Sequence, residues 1–175
     1  MLPTLLNLQD KVNDWLKFAE AKNGVLIGLD EVMIFGVIQA FIADKSPLKE
    51  FHYSVCIVVL LITLSLLLAL TSFLPKLQLT HFVHGSPCPE SDNLLYFGHI
   101  AKYSPDLFFI EFSKFFEGND QELVGEQTQK QYIGQIVMNS QITMRKFGHF
   151  NYAVWATACA IIYSVTRFSV YFLPC

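Results

Sequence analysis

The sequence predicts an all-α integral membrane protein with three transmembrane helices, a cytoplasmic helical region and self-association into an oligomer. Three observations lead there. Of the 175 residues, 53% are hydrophobic and only 15% carry charge, against roughly 25% charge in an ordinary soluble domain. Mean hydropathy is positive, at +0.39. The apolar residues are gathered into three long runs rather than spread along the chain. The same composition excludes a disordered chain, which needs low hydrophobicity and high charge. A formal net charge of −3 and a pI of 5.9 argue against nucleic acid as a partner.

Residues 1–23 are expected to form an N-terminal amphipathic helix. Pro3-Thr4 can begin it, and Leu5, Leu8, Val12, Trp15, Leu16 and Ala19 share one face. Such a face packs on other helices or lies in a membrane interface; packing is the expected use. The first 20 residues carry acids and no apolar core, so no cleaved signal peptide is expected.

Residues 24–74 are expected to form a transmembrane hairpin with arms at 24–43 and 53–74. The second arm is uncharged throughout and ends at Pro75-Lys76; about 20 such residues cross a bilayer. The first arm has the length but carries Asp30 and Glu31, and a charge at the centre of a span costs roughly 2.5–3.5 kcal/mol on insertion scales. The short connection DKSPLKEFH favours joint insertion of both arms. The third span is expected within 150–175, with Arg167 near its far end, where its head can snorkel to water. Lys and Arg stay on the cytoplasmic side. Lys11, Lys17 and Lys22 lie before the first span, and Lys76, Lys102, Lys114, Lys130, Arg145 and Lys146 lie in 75–149. The N-terminus and 75–149 are therefore expected inside the cell and the C-terminus outside.

The region 75–149 reads as helical. Gly85, Pro87 and Pro89 mark a loop, and 92–103 suits a short helix. Ser104-Pro105-Asp106 supplies an N-cap, a first-position proline and a first-turn acid, for a helix reaching Glu117 and stopping at Gly118. Asn119 or Asp120 then caps a long helix, with Leu123, Ile133, Val137, Ser140, Met144 and Phe147 at approximate coiled-coil spacing. No proline occurs between 106 and 173, so this helix is expected to run into the last span, with Gly125, Gly134 and Gly148 as its weak points. Phe108, Phe109, Phe112, Phe115 and Phe116 crowd one short helix and imply burial by neighbours or by a second subunit.

Asp30 and Glu31 are the most informative candidates, because acids inside a span are functional by default. Gly24, Gly28, Val32, Gly36 and Ala40 recur every four residues, a small-xxx-small pattern that lets helices approach. At 3.6 residues per turn, Glu31 lies about 60° from the line through Gly28 and Asp30 about 160° away. Glu31 is thus expected beside the close-packing face, with Asp30 pointing elsewhere. The pair either sits hydrated at the interface or lines a polar path in an oligomer.

His81, His84, Cys88 and His99 have permissive spacing in a Pro/Gly loop without a second pair, so no metal is expected. Cys56, Cys88, Cys159 and Cys175 show no paired spacing and indicate no disulfide framework. No G-x-S-x-G, P-loop or G-x-G-x-x-G occurs, so neither an enzyme nor catalytic residues are expected. For an anionic ligand, Arg145 offers a planar fork suited to phosphate, with Lys102, Lys114, Lys130 and Lys146 as further cations. Topology signalling before the last span also explains Arg145-Lys146.

Several stretches together carry a resemblance. Glu20-Ala21-Lys22-Asn23-Gly24 opens the first span, and the Leu-rich second span ends in Ser72-Phe73-Leu74-Pro75. Leu95-Tyr96-Phe97-Gly98-His99-Ile100-Ala101-Lys102-Tyr103-Ser104-Pro105 follows. Gln135-Ile136-Val137-Met138-Asn139-Ser140-Gln141-Ile142 and Arg145-Lys146-Phe147 lead into the third span. From about residue 18 to 173 this order resembles the Pycsar transmembrane effectors of bacterial antiphage defence. The resemblance implies an inner-membrane effector that answers cyclic CMP or cyclic UMP, cCMP or cUMP, made by a partner nucleotide cyclase. The membrane then loses integrity and the cell dies before phage spread, an abortive infection. It implies no cofactor and no catalytic residues. By position it makes Tyr96, Phe97, Gly98, His99 and Lys102 candidates for the ligand response, joined by Arg145. The familiar cyclic-nucleotide-binding β-roll has no counterpart here, because 75–149 shows little strand patterning. The rival class is a constitutive scaffolding protein of the inner membrane without a small-molecule ligand.

Overall fold

The computed structural model describes residues 2–42, 52–74, 86–116 and 126–172. Among them every regular element is helical: α1 Leu2–Ile42, α2 His52–Thr71, α3 Phe97–Ile100, α4 Pro105–Phe116 and α5 Glu126–Phe172. The expected connection 44–52 lies mostly outside the described residues, as do Lys76, His81, His84, Gly85, Gly118, Asn119, Asp120, Leu123, Gly125 and Cys175. Three helices are long and apolar enough to cross a bilayer: α1, α2 and α5.

The amphipathic stretch and the first span are one helix. No proline interrupts the chain between Pro3 and Pro47, and α1 passes Gly24, Gly28 and Gly36 unbroken. Its 41 residues reach about 60 Å at 1.5 Å per residue, twice the roughly 30 Å of a hydrocarbon core. The 47 residues of α5 likewise continue through Gly134 and Gly148. Only part of either helix therefore fits within lipid.

The segment expected as a helix over 92–103 is different. Only Phe97–Ile100 is helical, flanked by turns. Side chains capture the local backbone instead. The Cys88 N–H donates to Asp92, the Leu95 N–H to Asn93 Oδ1, and the Asn93 N–H to His99 Nδ1. Short Asp and Asn side chains compete with helix hydrogen bonds in this way. The cap of α4 is as expected: the Leu107 N–H donates to the Ser104 hydroxyl at 3.3 Å.

The chain forms two compact units, to both of which α1 and α5 contribute. The first comprises Met1–Ala19 with Pro75–Phe147. Its core joins Leu5, Leu8 and Val12 of α1 to Phe97, Ile100, Tyr103, Phe108, Phe112, Ile133, Ile136 and Val137, so the amphipathic face packs as expected. Phe115, by contrast, is exposed. Amide pairs Gln9–Gln135 and Asn13–Asn139 join α1 to α5 at 2.7 and 2.9 Å.

The second unit comprises Glu20–Leu74 with Gly148–Cys175. Here α1, α2 and α5 meet in two apolar clusters, around Leu26, Ala69 and Ala153 and around Val58, Ile62 and Ala160. Large apolar side chains such as Val32, Phe35, Leu60, Trp155 and Ile162 face outward, as lipid contact requires.

Candidate functional site

Each of the three spanning helices buries polar side chains in the second unit, Asn23 and Asp30 on α1, Ser65 on α2 and Thr157 on α5. On α1 the buried positions are Asn23, Leu26 and Asp30; on α2, Val58, Ile62, Ser65 and Ala69; on α5, Ala153, Thr157 and Ala160. Each set repeats at three and four residues, one face of a helix. The alanines let the backbones approach, which brings Asp30, Ser65 and Thr157 together. The Ser65 hydroxyl donates to Asp30 Oδ2 at 2.6 Å and the Thr157 hydroxyl to Oδ1 at 2.8 Å. The two hydroxyl oxygens are 2.8 Å apart, and Thr157 also lies 3.4 Å from the Ala153 carbonyl. Asp30 is 0% exposed. Among the described residues it is met by hydroxyls and by no cation.

This reverses the expected roles of the two acids. Glu31 is exposed, and a Cβ added at Gly24, Gly28 or Gly36 would meet nothing within 4 Å. The small-residue stripe permits close approach but does not decide which face packs within one chain. The acid with hydroxyl partners on two other helices takes the inside, because a buried carboxyl needs donors. Sequence reasoning misses Ser65 and Thr157. Their signal is a hydroxyl on the alanine-bearing face of a span.

In the first unit a second buried carboxyl, Asp92, draws in two of the expected ligand-response residues, Lys102 and His99. Lys102 donates to its Oδ1 at 2.7 Å, and the Tyr103 hydroxyl and the Cys88 N–H donate to Oδ2 at 3.1 and 2.8 Å. The Lys102 hydrogen bond first, and the Cys88 N–H second, hold the carboxyl down to about 2 from an ordinary 3.8. Burial first, then the Asp92 hydrogen bond, pushes the Tyr103 phenol up to about 12. His99 Nδ1 lies 3.8 Å from Asp92 but accepts the Asn93 N–H at 2.7 Å. Nδ1 therefore carries no hydrogen in this arrangement, and Nε2 is the donor.

Tyr96 stands at right angles to the His99 ring, 5.4 Å away, and its own ring is half-exposed. Gly98 makes this possible: a Cβ there would sit 2.6 Å from Tyr96 Cε1. Tyr96, His99 and Lys102 thus gather in one short segment. Arg145, half-buried on α5, makes no hydrogen bond or ion pair with them. Among the other cations, Lys114 pairs with Glu111, and Lys130 lies over the Phe109 ring. A surface cavity of about 310 Å³ is lined by Pro3, Thr4, Asn7, Leu8, Lys11 and Leu95. Lys11 gives it a cation that no carboxylate among the described residues holds. No cluster of three metal-ligating side chains occurs among the described residues.

The profile of the Pycsar effector protein domain matches residues 4–173. The chain belongs to the Pycsar effector family. No curated protein and no solved structure gives a significant match. The family identifies an antiphage effector, and the three long apolar helices make it a membrane protein. The match spans both the Asp30 and the Asp92 clusters.

Proposed function

We propose that this Pycsar effector sits as several copies in the bacterial inner membrane, with its N-terminus and residues 75–149 in the cytoplasm. It responds to cCMP or cUMP from a partner cyclase and then impairs the membrane, so that the infected cell dies. The observation that carries this reading is the family match over residues 4–173 on a chain with three helices able to span a bilayer. Asp30, Ser65 and Thr157 are buried where the three helices meet, so permeation calls for several copies or a rearranged bundle.

Tyr96 offers a face for a pyrimidine, and His99 Nε2 a hydrogen bond to it. For the phosphate, Lys102 would have to leave Asp92, whereas Lys11 in the cavity is available at once. A ligand that prefers one arrangement of the first unit shifts the population of states, and α1 and α5 belong to both units.

The test is unfolding of the detergent-solubilised protein with cCMP, cUMP, cAMP and cGMP. A binding ligand raises stability by RT ln(1 + [L]/Kd). The expected result is a rise for one pyrimidine nucleotide, reduced by Lys11→Ala and by Gly98→Ala, which displaces Tyr96. A flat panel, together with no dye entry into cells with an active cyclase, overturns the reading. It would favour the scaffold, for which the engaged state of Lys102 is the supporting observation.

A further inference from the structure

We propose that Asp30, Ser65 and Thr157 form a lock that holds the spanning bundle closed, and that stranding the Asp30 carboxyl opens it. This rests on the effector reading and names what keeps the effector silent before a signal. Each spanning helix supplies one member, and the members are far apart in sequence: Ser65 by 35 residues and Thr157 by 127 from Asp30. The contacts therefore exist only while all three helices are packed together. The buried positions next to them are apolar, Leu26, Ile62, Ala69, Ala153 and Ala160; the buried amide of Asn23 lies seven residues before Asp30 on the same face.

Among the described residues the hydrogen bonds of Asp30 go to Ser65 and Thr157 alone. The other charged and titratable side chains described on these segments are Glu20, Lys22, Glu31, His52, Tyr53, Cys56, His149, Tyr152, Cys159, Tyr163 and Arg167. None of them bonds Asp30. Arg167 and Tyr163 instead reach Ser54, and His149 lies against Thr71.

The physical basis is an asymmetry. Removing a donor leaves a buried acceptor unsatisfied, at the full cost of its desolvation. Replacing the entire polar set by apolar groups is often neutral or better. In lipid, a carboxyl without its hydroxyl donors is best satisfied by water, and water enters when the helices part. The lock is thus tight when all three members are present and unnecessary when all three are absent. It is harmful when only the acid remains.

The experiment measures dye entry into cells without any cyclase, per amount of protein in the membrane fraction. Thr157→Val keeps the shape of the side chain and leaves Ser65 as the one donor. Its expected effect is dye entry raised roughly fivefold or more over wild type, with S65A/T157V higher still. Asp30→Ala is expected to stay silent, because Ser65 and Thr157 then bond one another and Ala153. D30A/S65A/T157V is also expected to stay silent.

Donor variants as quiet as wild type at equal abundance overturn the lock. So does a triple variant that leaks as strongly as S65A/T157V, because lost packing would then be the cause. Should S65A/T157V fail to accumulate, Thr157→Val against Asp30→Ala makes the same comparison. Wild type that stays quiet beside an active cyclase counts against the effector reading alone, since the cyclase-free comparison decides the lock independently.

Discussion

In the first unit the fully buried apolar side chains are mostly large, Leu5, Leu8, Ile100, Tyr103, Phe108, Phe112, Ile133 and Ile136, with Ala19 and Ala101 beside them. In the second, three of the fully buried apolar side chains are alanines, Ala69, Ala153 and Ala160, and Ile62 is the one large residue at 0%. The two carboxyls differ in the same sense. Asp92 has an ammonium, a phenol and a backbone N–H; Asp30 has two hydroxyls from other helices. The difference follows from the solvent each unit is suited to. In water, burying large apolar area is the main source of stability. In lipid, burial removes no water, and helices associate through close packing of small residues and hydrogen bonds.

The largest expected effect uses one residue type at equal burial. Ile136 and Ile62 are both 0% exposed. Ile136→Ala should destabilise the first unit by about 2–5 kcal/mol, the usual transfer and cavity cost in a water-facing domain. Ile62→Ala should cost the second unit distinctly less, because the exposed methyl groups meet lipid rather than water. Hydrogen exchange in a lipid bilayer, followed separately for amides of each unit, reads both losses. Equal losses would place the two units in the same solvent and break the comparison.

The contrast also explains what the sequence made legible. Long apolar runs and the absence of proline between 106 and 173 were enough for three spans and for a continuous α5. The α1 face at Leu5, Leu8 and Val12 was legible because its period is local. The roles of Asp30 and Glu31 were not. Both angular positions were correct for a helix, but the partners that draw Asp30 inward lie 35 and 127 residues away, on faces that hydropathy cannot distinguish. The stretch 92–103 misled for the opposite reason, since its competitors were too local: Asp92, Asn93 and His99 bond the backbone of their own segment. Asp92 itself is easily overlooked, because Lys102 reads in the sequence as a free cation rather than as its partner.

The ionisable pair of the first unit gives a pH profile of smaller size. Asp92 titrates at about 2 when folded and near 3.8 when not. Its contribution is therefore complete above about pH 4 and is lost as pH falls from there towards 2, where the unfolded chain binds the proton first. Tyr103 is raised from 10.0 to about 12. Its stabilisation is complete below pH 10 and is lost as pH rises from 10 towards 12. Unfolding of the first unit should thus become easier at both ends. Tyr103→Phe should flatten the alkaline fall, and Asp92→Asn the acid one, from a lower starting stability. An unchanged acid limb in Asp92→Asn would show that other carboxylates carry it.

The smallest effect is expected at an ion pair of the same length. Lys114 reaches Glu111 at 2.7 Å, just as Lys102 reaches Asp92. Their surroundings differ. The Lys114 side chain is 59% exposed and its partner is one helical turn away, whereas Lys102 is 23% exposed and meets a carboxyl that is 2% exposed. Water already solvates Lys114 well, and holding it to Glu111 costs side-chain entropy, so Lys114→Ala should change stability by less than about 1 kcal/mol. Lys102→Ala should cost more, because it strands the Asp92 carboxyl against Tyr103 and the Cys88 N–H. Chemical denaturation of both variants, repeated at high salt, measures the order: screening should erase the Lys114 effect and leave most of that at Lys102. Should the two variants be equally mild, the Asp92 cluster would be as well hydrated as the helix surface, and Lys102 would be as free for an anionic ligand as Lys11.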